Sequence, residues 1–133
     1  MKIEEDVKLD YSDVLIRPKR TTLSSRSEVD LERTITFPTS KQTWKGIPII
    51  AANMDTIGTY EMYQVCSQYK IITAFHKFYT LEDYQNMSPN LDTDYFMVST
   101  GISKADMEKI EEILNNIPAK FICIDVANGY MDK

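Results

Sequence analysis

The stretch Pro48-Ile-Ile-Ala-Ala-Asn-Met54 is an apolar run that ends in polar residues, and the same pattern recurs three more times along the chain. The other runs are Ile71-Ile-Thr-Ala-Phe-His-Lys77, Tyr95-Phe-Met-Val-Ser-Thr-Gly101 and Phe121-Ile-Cys-Ile-Asp-Val-Ala-Asn128. The steps from Asn53 to His76, to Ser99 and to Asp125 are 23, 23 and 26 residues. Each step has room for one strand, one helix and two loops, so the spacing predicts repeated β/α units.

Strands and helices that alternate strictly pair in parallel through right-handed crossovers, and strands this apolar are covered on both faces. We therefore predict an α/β fold that forms the first half of a (β/α)8 TIM barrel, with four parallel β/α units and an N-terminal arm. A complete barrel typically takes about 250 residues. The chain has 133 residues, so this interpretation makes it a fragment. A complete open α/β sheet of four strands is the alternative.

The predicted domains are an arm over residues 1–46, with a short strand or hairpin, and an incomplete barrel over residues 47–133 with its first four strands and the helices between them. A strand is predicted over 29–37, where apolar and polar residues alternate over most of its length. Three helices are predicted from their start signals. They begin after Thr59, with Met62, Val65 and Cys66 on one face, after Thr80, and at 103–117 with Ser103 as N-cap.

Composition narrows the possible partners. Fifteen Lys and Arg against 20 Asp and Glu give a net charge of −5, which argues against a general nucleic-acid surface. The two cysteines, Cys66 and Cys123, lack metal-type spacing and fit a reducing compartment. No run approaches 18 apolar residues, so we predict a soluble, cytoplasmic protein with no membrane association. We also predict no metal site in this chain.

Because barrel enzymes build their sites at the C-terminal ends of strands, the polar strand ends are the candidate site. Asn53, Met54 and Asp55 can address a ligand or simply form a turn. Lys77 can pair with a phosphate or assist proton transfer, although a lysine directed to solvent is the commoner case. Asp125, within an apolar run, needs a partner such as ribose hydroxyls, an amide, a cation or a basic side chain.

The chain resembles the N-terminal part of the IMP dehydrogenase/GMP reductase family, in one register along nearly its whole length. The residues that carry the resemblance are Asp13-Val-Leu-Ile-Arg-Pro-Lys-Arg20, Ser25-Arg-Ser-Glu-Val-Asp-Leu31, Gly46-Ile-Pro-Ile-Ile-Ala-Ala-Asn-Met-Asp-Thr-Ile-Gly58, His76-Lys77 and Cys123-Ile-Asp-Val-Ala-Asn-Gly-Tyr130. The third and the last of these are closer to the reductase branch, and no regulatory domain interrupts the chain after His76-Lys77.

The resemblance implies a homotetrameric TIM-barrel oxidoreductase of purine nucleotide salvage that converts GMP to IMP and ammonia with NADPH. In such enzymes a cysteine on a later loop attacks the purine, and a potassium ion binds near that loop. The resemblance places both outside this chain. Cys66 falls in a helix and Cys123 inside a strand, so neither is assigned as the attacking cysteine. We therefore predict that the fragment alone is inactive.

The resemblance also assigns roles to individual residues. Ser25 and Arg26 match an arm that reaches NADPH from a neighbouring subunit, and Lys77 matches a cofactor-contacting lysine that can also assist protonation. Asp125, Val126 and Ala127 match the strand end beside the cofactor, with Asn128 as a neighbour. Asn53, Met54 and Asp55 match the wall of the purine pocket.

Two alternatives remain open. One is an IMP dehydrogenase-type barrel, which would pass a hydride to NAD. The other is a non-catalytic half-barrel that associates with itself or with a partner chain, such as the missing C-terminal half of the barrel, to cover its edges.

Overall fold

The computed structural model describes residue 3 and residues 5–130. The chain divides into two compact units, Met1–Asp30 and Leu31–Lys133. The first unit contains two single-turn 3-10 helices, Tyr11–Asp13 and Arg26–Glu28, which begin at the capping residues Asp10 and Ser25. The second unit contains all the strands and α-helices found among the described residues.

The second unit opens with an antiparallel hairpin of β1 (Arg33–Thr36) and β2 (Thr43–Gly46). The strand predicted over 29–37 is shorter in the structure, because Val29 ends the preceding 3-10 turn. The hairpin is anchored by Trp44, which is buried and whose Nε1 donates to the Asp94 carbonyl oxygen at 2.8 Å. This long-range contact explains why the hairpin, which the sequence grouped with the arm, lies in the second unit.

Four parallel strands follow in the order in which they occur along the chain. They are β3 (Ile50–Ala51), β4 (Ile72–Ala74), β5 (Phe96–Thr100) and β6 (Ile122–Ile124). The α/β fold with a parallel sheet is confirmed, whereas the assignment to half of an eight-stranded barrel stays a prediction.

Three α-helices connect the parallel strands, each at a place that the sequence predicted. They are α1 (Tyr60–Cys66), α2 (Leu81–Met87) and α3 (Lys104–Asn116), and the 3-10 turns Ser67–Tyr69 and Ser88–Asn90 follow α1 and α2. Their N-caps are Thr59, Thr80 and Ser103, and the last two form capping boxes with Asp83 and Asp106.

The buried face of α1 is centred on Tyr63, whereas Met62 and Val65, on the predicted apolar face, are exposed. Tyr63 is held by polar contacts as well as by packing. Its hydroxyl donates to the Asn90 carbonyl at 3.2 Å and accepts from the Asp92 amide at 2.6 Å. A tyrosine whose hydroxyl is satisfied in this way can occupy the core at low cost.

The core lies between the sheet and the helices. Phe75, which follows β4, and Phe96 and Val98 of β5 are 0% exposed, and α3 contributes Ile110 and Ile113. In the described part of the chain, no helix is long and apolar enough to span a membrane.

Candidate functional site

The polar strand ends lie along one edge of the sheet. Parallel pairing places Ala51 opposite Thr73, Ala74 opposite Met97, and Thr100 opposite Ile124, so the four strands end at a common side. The predicted site residues of the second unit all follow these ends. Asn53, Lys77 and Asp125 come within three residues of β3, β4 and β6.

The segment after β3 is a tight turn made by the backbone. The Met54 carbonyl oxygen accepts from Ile57 N at 3.0 Å and from Gly58 N at 2.7 Å. The side-chain nitrogen Nδ2 of Asn53 is buried and has no hydrogen-bond partner among the described residues. Met54 and Asp55 are exposed. The turn and the ligand-binding interpretations are therefore compatible, because the turn leaves the Asn53 amide available.

Gly58 fastens this turn to the end of β4. Its carbonyl oxygen accepts from His76 N at 2.9 Å. A Cβ at this position would lie 2.2 Å from the Ala74 carbonyl oxygen and 3.0 Å from His76 N, so a larger residue does not fit without backbone movement. The β3 and β4 loops are thus packed against each other.

The loop after β4 carries His76 and Lys77. The His76 ring stacks on Tyr79 with centroids 3.9 Å apart, and the Tyr79 hydroxyl accepts from Tyr60 N at 3.0 Å, at the start of α1. Lys77 is exposed, and its carbonyl oxygen accepts from the Nζ of Lys109 at 2.7 Å. His76 therefore packs within the fold, while Lys77 offers its side chain to solvent.

Three buried polar atoms without partners lie near the C-terminal ends of successive strands. They are Asn53 Nδ2, His76 Nδ1 and Ser99 Oγ, at the ends of β3, β4 and β5. Of these residues, only Asn53 was among the predicted site residues. The even spacing from Asn53 to His76 and Ser99 was the signal that could have included the other two. Buried polar atoms normally find a partner, so this edge is suited to a ligand or to ordered water.

The end of β6 carries Asp125 at the surface. Asp125 N donates to the Thr100 carbonyl at 2.8 Å, which continues the strand pairing, but the side chain is exposed. The carboxylate is therefore open to a ligand, and the expectation that Asp125 binds a partner stays a prediction. Val126 is half-buried and Ala127 is exposed, while Asn128 Oδ1 accepts from Tyr130 N at 3.0 Å in a turn.

Charges cluster where the β4 loop meets the start of α3. Hydrogen bonds from Ser103 lower the pKa of the Asp106 carboxyl, and the positive charges of Lys77 and Lys109 lower it further. Asp106 also contacts Gly101, where a Cβ would lie 2.5 Å from its Oδ2. The carboxylate thus occupies the N-terminus of α3.

Ser25 and Arg26 lie in the first unit. The Ser25 Oγ accepts from Ser27 N at 3.2 Å and lies 2.8 Å from the Ser27 Oγ, and both Ser25 and Arg26 are exposed. The predicted arm residues are therefore available to a ligand, but the Ser25 hydroxyl is already used as a cap.

The two cysteines are half-buried free thiols, one in α1 and the other in β6. The sequence predicted the same placement, with Cys66 in a helix and Cys123 inside a strand. Across residues 5–130, no group of three or more His, Cys, Asp or Glu side chains is arranged to hold a metal ion.

Comparison with known proteins defines the class first. No protein-family model matches the chain. Its structure is similar to the crystal structure of inosine 5'-monophosphate dehydrogenase from Legionella pneumophila, with a TM-score of 0.70 and 30% identity over 90% of this chain and 36% of that one. The chain is thus an α/β protein that resembles part of a purine-nucleotide dehydrogenase.

More specifically, the chain is homologous to part of GMP reductase. It is 56% identical to the GMP reductase of Citrobacter koseri and 55% identical to that of Escherichia coli K12, in each case over 99% of this chain. The resemblance predicted from the sequence is confirmed. The chain spans 39% of the length of these relatives.

Proposed function

We propose that this chain forms the N-terminal portion of a GMP reductase, an oxidoreductase that converts GMP to IMP and ammonia with NADPH. The observation that carries the proposal is the 56% identity along 99% of the chain. The strand-end edge supports it, because polar groups gather there without protein partners. The (β/α)8 half-barrel is the architecture that this proposal requires.

Residues at the edge suit a nucleotide cofactor and a purine. We propose that Lys77 contacts the cofactor and assists protonation of the leaving group, since its exposed ammonium can donate both a hydrogen bond and a proton. Asp125, Val126, Ala127 and Asn128 form the cofactor side, where the exposed carboxylate suits ribose hydroxyls. NADPH supplies the hydride when it is bound.

The purine wall is assigned to the β3 loop. Asn53 has an unpartnered, buried amide nitrogen that can donate to a ring nitrogen or a carbonyl oxygen of the base. Met54 adds an exposed apolar side chain, and Asp55 an exposed carboxylate, to the same turn. A polar group of the base would satisfy the Asn53 nitrogen without breaking an existing contact.

The remaining parts of the enzyme come from elsewhere. We propose that Ser25 and Arg26 bind the additional phosphate of NADPH from a neighbouring subunit of a homotetramer, because a guanidinium fork and a hydroxyl suit phosphate oxygens. The attacking cysteine and the potassium ion are assigned to the part of the relatives that this chain does not match. Accordingly, the chain alone is expected to be inactive, and the complete enzyme cytoplasmic.

A chimera tests this function directly. In it, the chain replaces the matching part of Citrobacter koseri GMP reductase, and the intact relative is the control. We expect ammonia release from GMP together with NADPH oxidation, and neither from the 133-residue chain alone. A folded chimera that instead reduces NAD with IMP would favour the dehydrogenase alternative, and turnover by the chain alone would contradict the assignment of the cysteine.

The non-catalytic half-barrel is kept as a second candidate because the outer strands are poorly covered. Ile50 on β3 is 53% exposed and Ile124 on β6 is 64% exposed. This candidate predicts a stable assembly of the 15.4 kDa chain with itself, or with a partner chain, and no turnover. Light scattering on the purified chain, combined with the chimera assay, separates the two candidates.

A further inference from the structure

The loop that carries Lys77 is short and is held at both ends. Lys77 and Phe78 form a turn three residues after β4 and three before α2. On one side of the turn, His76 N donates to Gly58 O. On the other side, Tyr79 stacks on His76 and receives a hydrogen bond from Tyr60 N. The two neighbours of the turn are thus fixed to the β3 loop, to the start of α1 and to each other, and Tyr79 also packs against Phe75 and Tyr84.

The backbone of Lys77 is held by a residue of α3. The Nζ of Lys109 donates to the Lys77 carbonyl oxygen at 2.7 Å, a bond that joins residues 32 apart in sequence. Lys109 is half-buried, so its stem packs along the protein while its ammonium reaches the turn. A charged donor makes a stronger bond than a neutral one.

The helix that presents Lys109 is itself well fixed. α3 is the longest helix among the described residues, with 13 residues, and its buried side includes Ile110, directly after Lys109. Its first turn is closed by the capping box of Ser103 and Asp106. Lys109 therefore links the Lys77 turn to a rigid element.

We infer that Lys109 is a positioning residue for Lys77: its ammonium fixes the backbone from which the Lys77 side chain extends towards the cofactor. This inference rests on the proposed role of Lys77 in GMP reduction. Lys77 has a long, flexible side chain, so the direction in which its Cα–Cβ bond points decides where its ammonium is most often found. Misplacing a catalytic group by about 1 Å can cost about 100-fold in rate.

The helix also offers a matched control. Lys104 lies five residues before Lys109 on the same helix, and its Nζ contacts Glu108 at 3.7 Å with 92% of its side chain exposed. Lys104→Met and Lys109→Met make the same chemical change and the same change in net charge. Only the second removes the bond to Lys77.

The first test uses the 133-residue chain without any ligand. In ¹³C,¹⁵N spectra, Lys109→Met should shift the Lys77 carbonyl carbon and the Phe78 amide nitrogen, while Lys104→Met should leave both unchanged and Lys109→Arg should keep most of the original shifts. If Lys109→Met moves these signals no more than Lys104→Met does, the contact is absent in solution and the inference is overturned, whatever the function of the site.

The second test is a double-mutant cycle in the chimera. Lys109→Met should lower kcat/KM for NADPH by about 10-fold to 100-fold, and Lys109→Arg should restore most of the loss. Because Lys109 acts through Lys77, the double variant with Lys77→Met should be no worse than Lys77→Met alone. Independent, multiplicative losses would overturn the inference.

The cycle also separates this inference from the proposed function. If Lys77→Met impairs the chimera and Lys109→Met behaves like Lys104→Met, the role of Lys109 is wrong and the role of Lys77 stands. If Lys77→Met has no effect, the proposed role of Lys77 fails, and the positioning role fails with it even where the spectra show the contact.

Discussion

The central strands of the sheet and its outer strands differ sharply in how well they are covered. Phe75 follows β4 and Phe96 and Val98 lie on β5, and all three are 0% exposed. On the outer strands, Ile50 of β3 and Ile124 of β6 are more than half exposed. The proposed site draws on both regions, so Lys77 follows a strand fixed by the core, while Asn53 and Asp125 follow strands whose packing is incomplete.

The largest expected effect is on stability, and it compares the central strands of the sheet with the outer strands. Phe96→Ala should lower the free energy of unfolding of the chain by about 3–5 kcal/mol, because it opens a cavity among packed aromatic rings. Ile124→Ala, on β6, should change it by less than about 0.5 kcal/mol. Urea unfolding followed by circular dichroism measures both, and equal losses would mean that β6 is covered in solution.

A second, smaller effect on stability concerns the contact between the β3 loop, which follows an outer strand, and the end of β4, a central strand. Gly58→Ala should lower the free energy of unfolding by about 1–3 kcal/mol, because the added Cβ meets backbone atoms of both the β3 loop and the end of β4. Gly129→Ala is the control, since a Cβ there meets nothing within 4 Å. If the two variants unfold at the same urea concentration, the β3 loop does not pack on β4 as described.

A third effect concerns the start of α3, which packs on the central strands. Ser103→Ala should lower the free energy of unfolding by about 1 kcal/mol. The Asp106 amide would lose its capping acceptor, the Ser103 Oγ, which lies 3.1 Å from Asp106 N. Ser103→Thr keeps a hydroxyl and should retain most of the stability. The same urea titration measures both variants. If Ser103→Ala is as stable as the parent chain, the cap is not formed.

The smallest effect is a pH dependence at the same cap. Since hydrogen bonds from Ser103 hold the pKa of Asp106 below its ordinary value of about 3.9, Asp106 stabilises the folded chain above that value, and the contribution is lost as the pH falls through the lower, folded pKa. Asp106→Asn should therefore lose less stability than the parent between pH 5 and pH 2 (about the range of this titration). Parallel pH profiles would contradict this.

The sequence predicted best what is decided locally. The helix starts at Thr80 and Ser103 are confirmed because each cap depends on a carboxylate three residues later. The position of the parallel strands followed from their apolar runs. The register of the hairpin could not be predicted in this way, since Trp44 is fixed by Asp94, 50 residues further along the chain.

The same limit applied to the site. Which side chains reach the edge of the sheet was predictable from the strand ends, but how each is surrounded was not. Asp125 is exposed because β6 is an outer strand, and a single apolar run does not tell an outer strand from a central one. The contact of Lys109 with Lys77 joins a helix to a distant turn, and a lysine on a helix surface carries no sign of it.

Trp44 is the only tryptophan in the chain, and it lies where the hairpin meets the sheet. Its indole is buried, so its fluorescence emission should move to longer wavelength when the hairpin separates from the sheet, even if the helices stay folded. The protein thus contains its own optical reporter for this one contact. Comparing that signal with the helical signal during unfolding would show whether the hairpin and the sheet come apart together or in sequence.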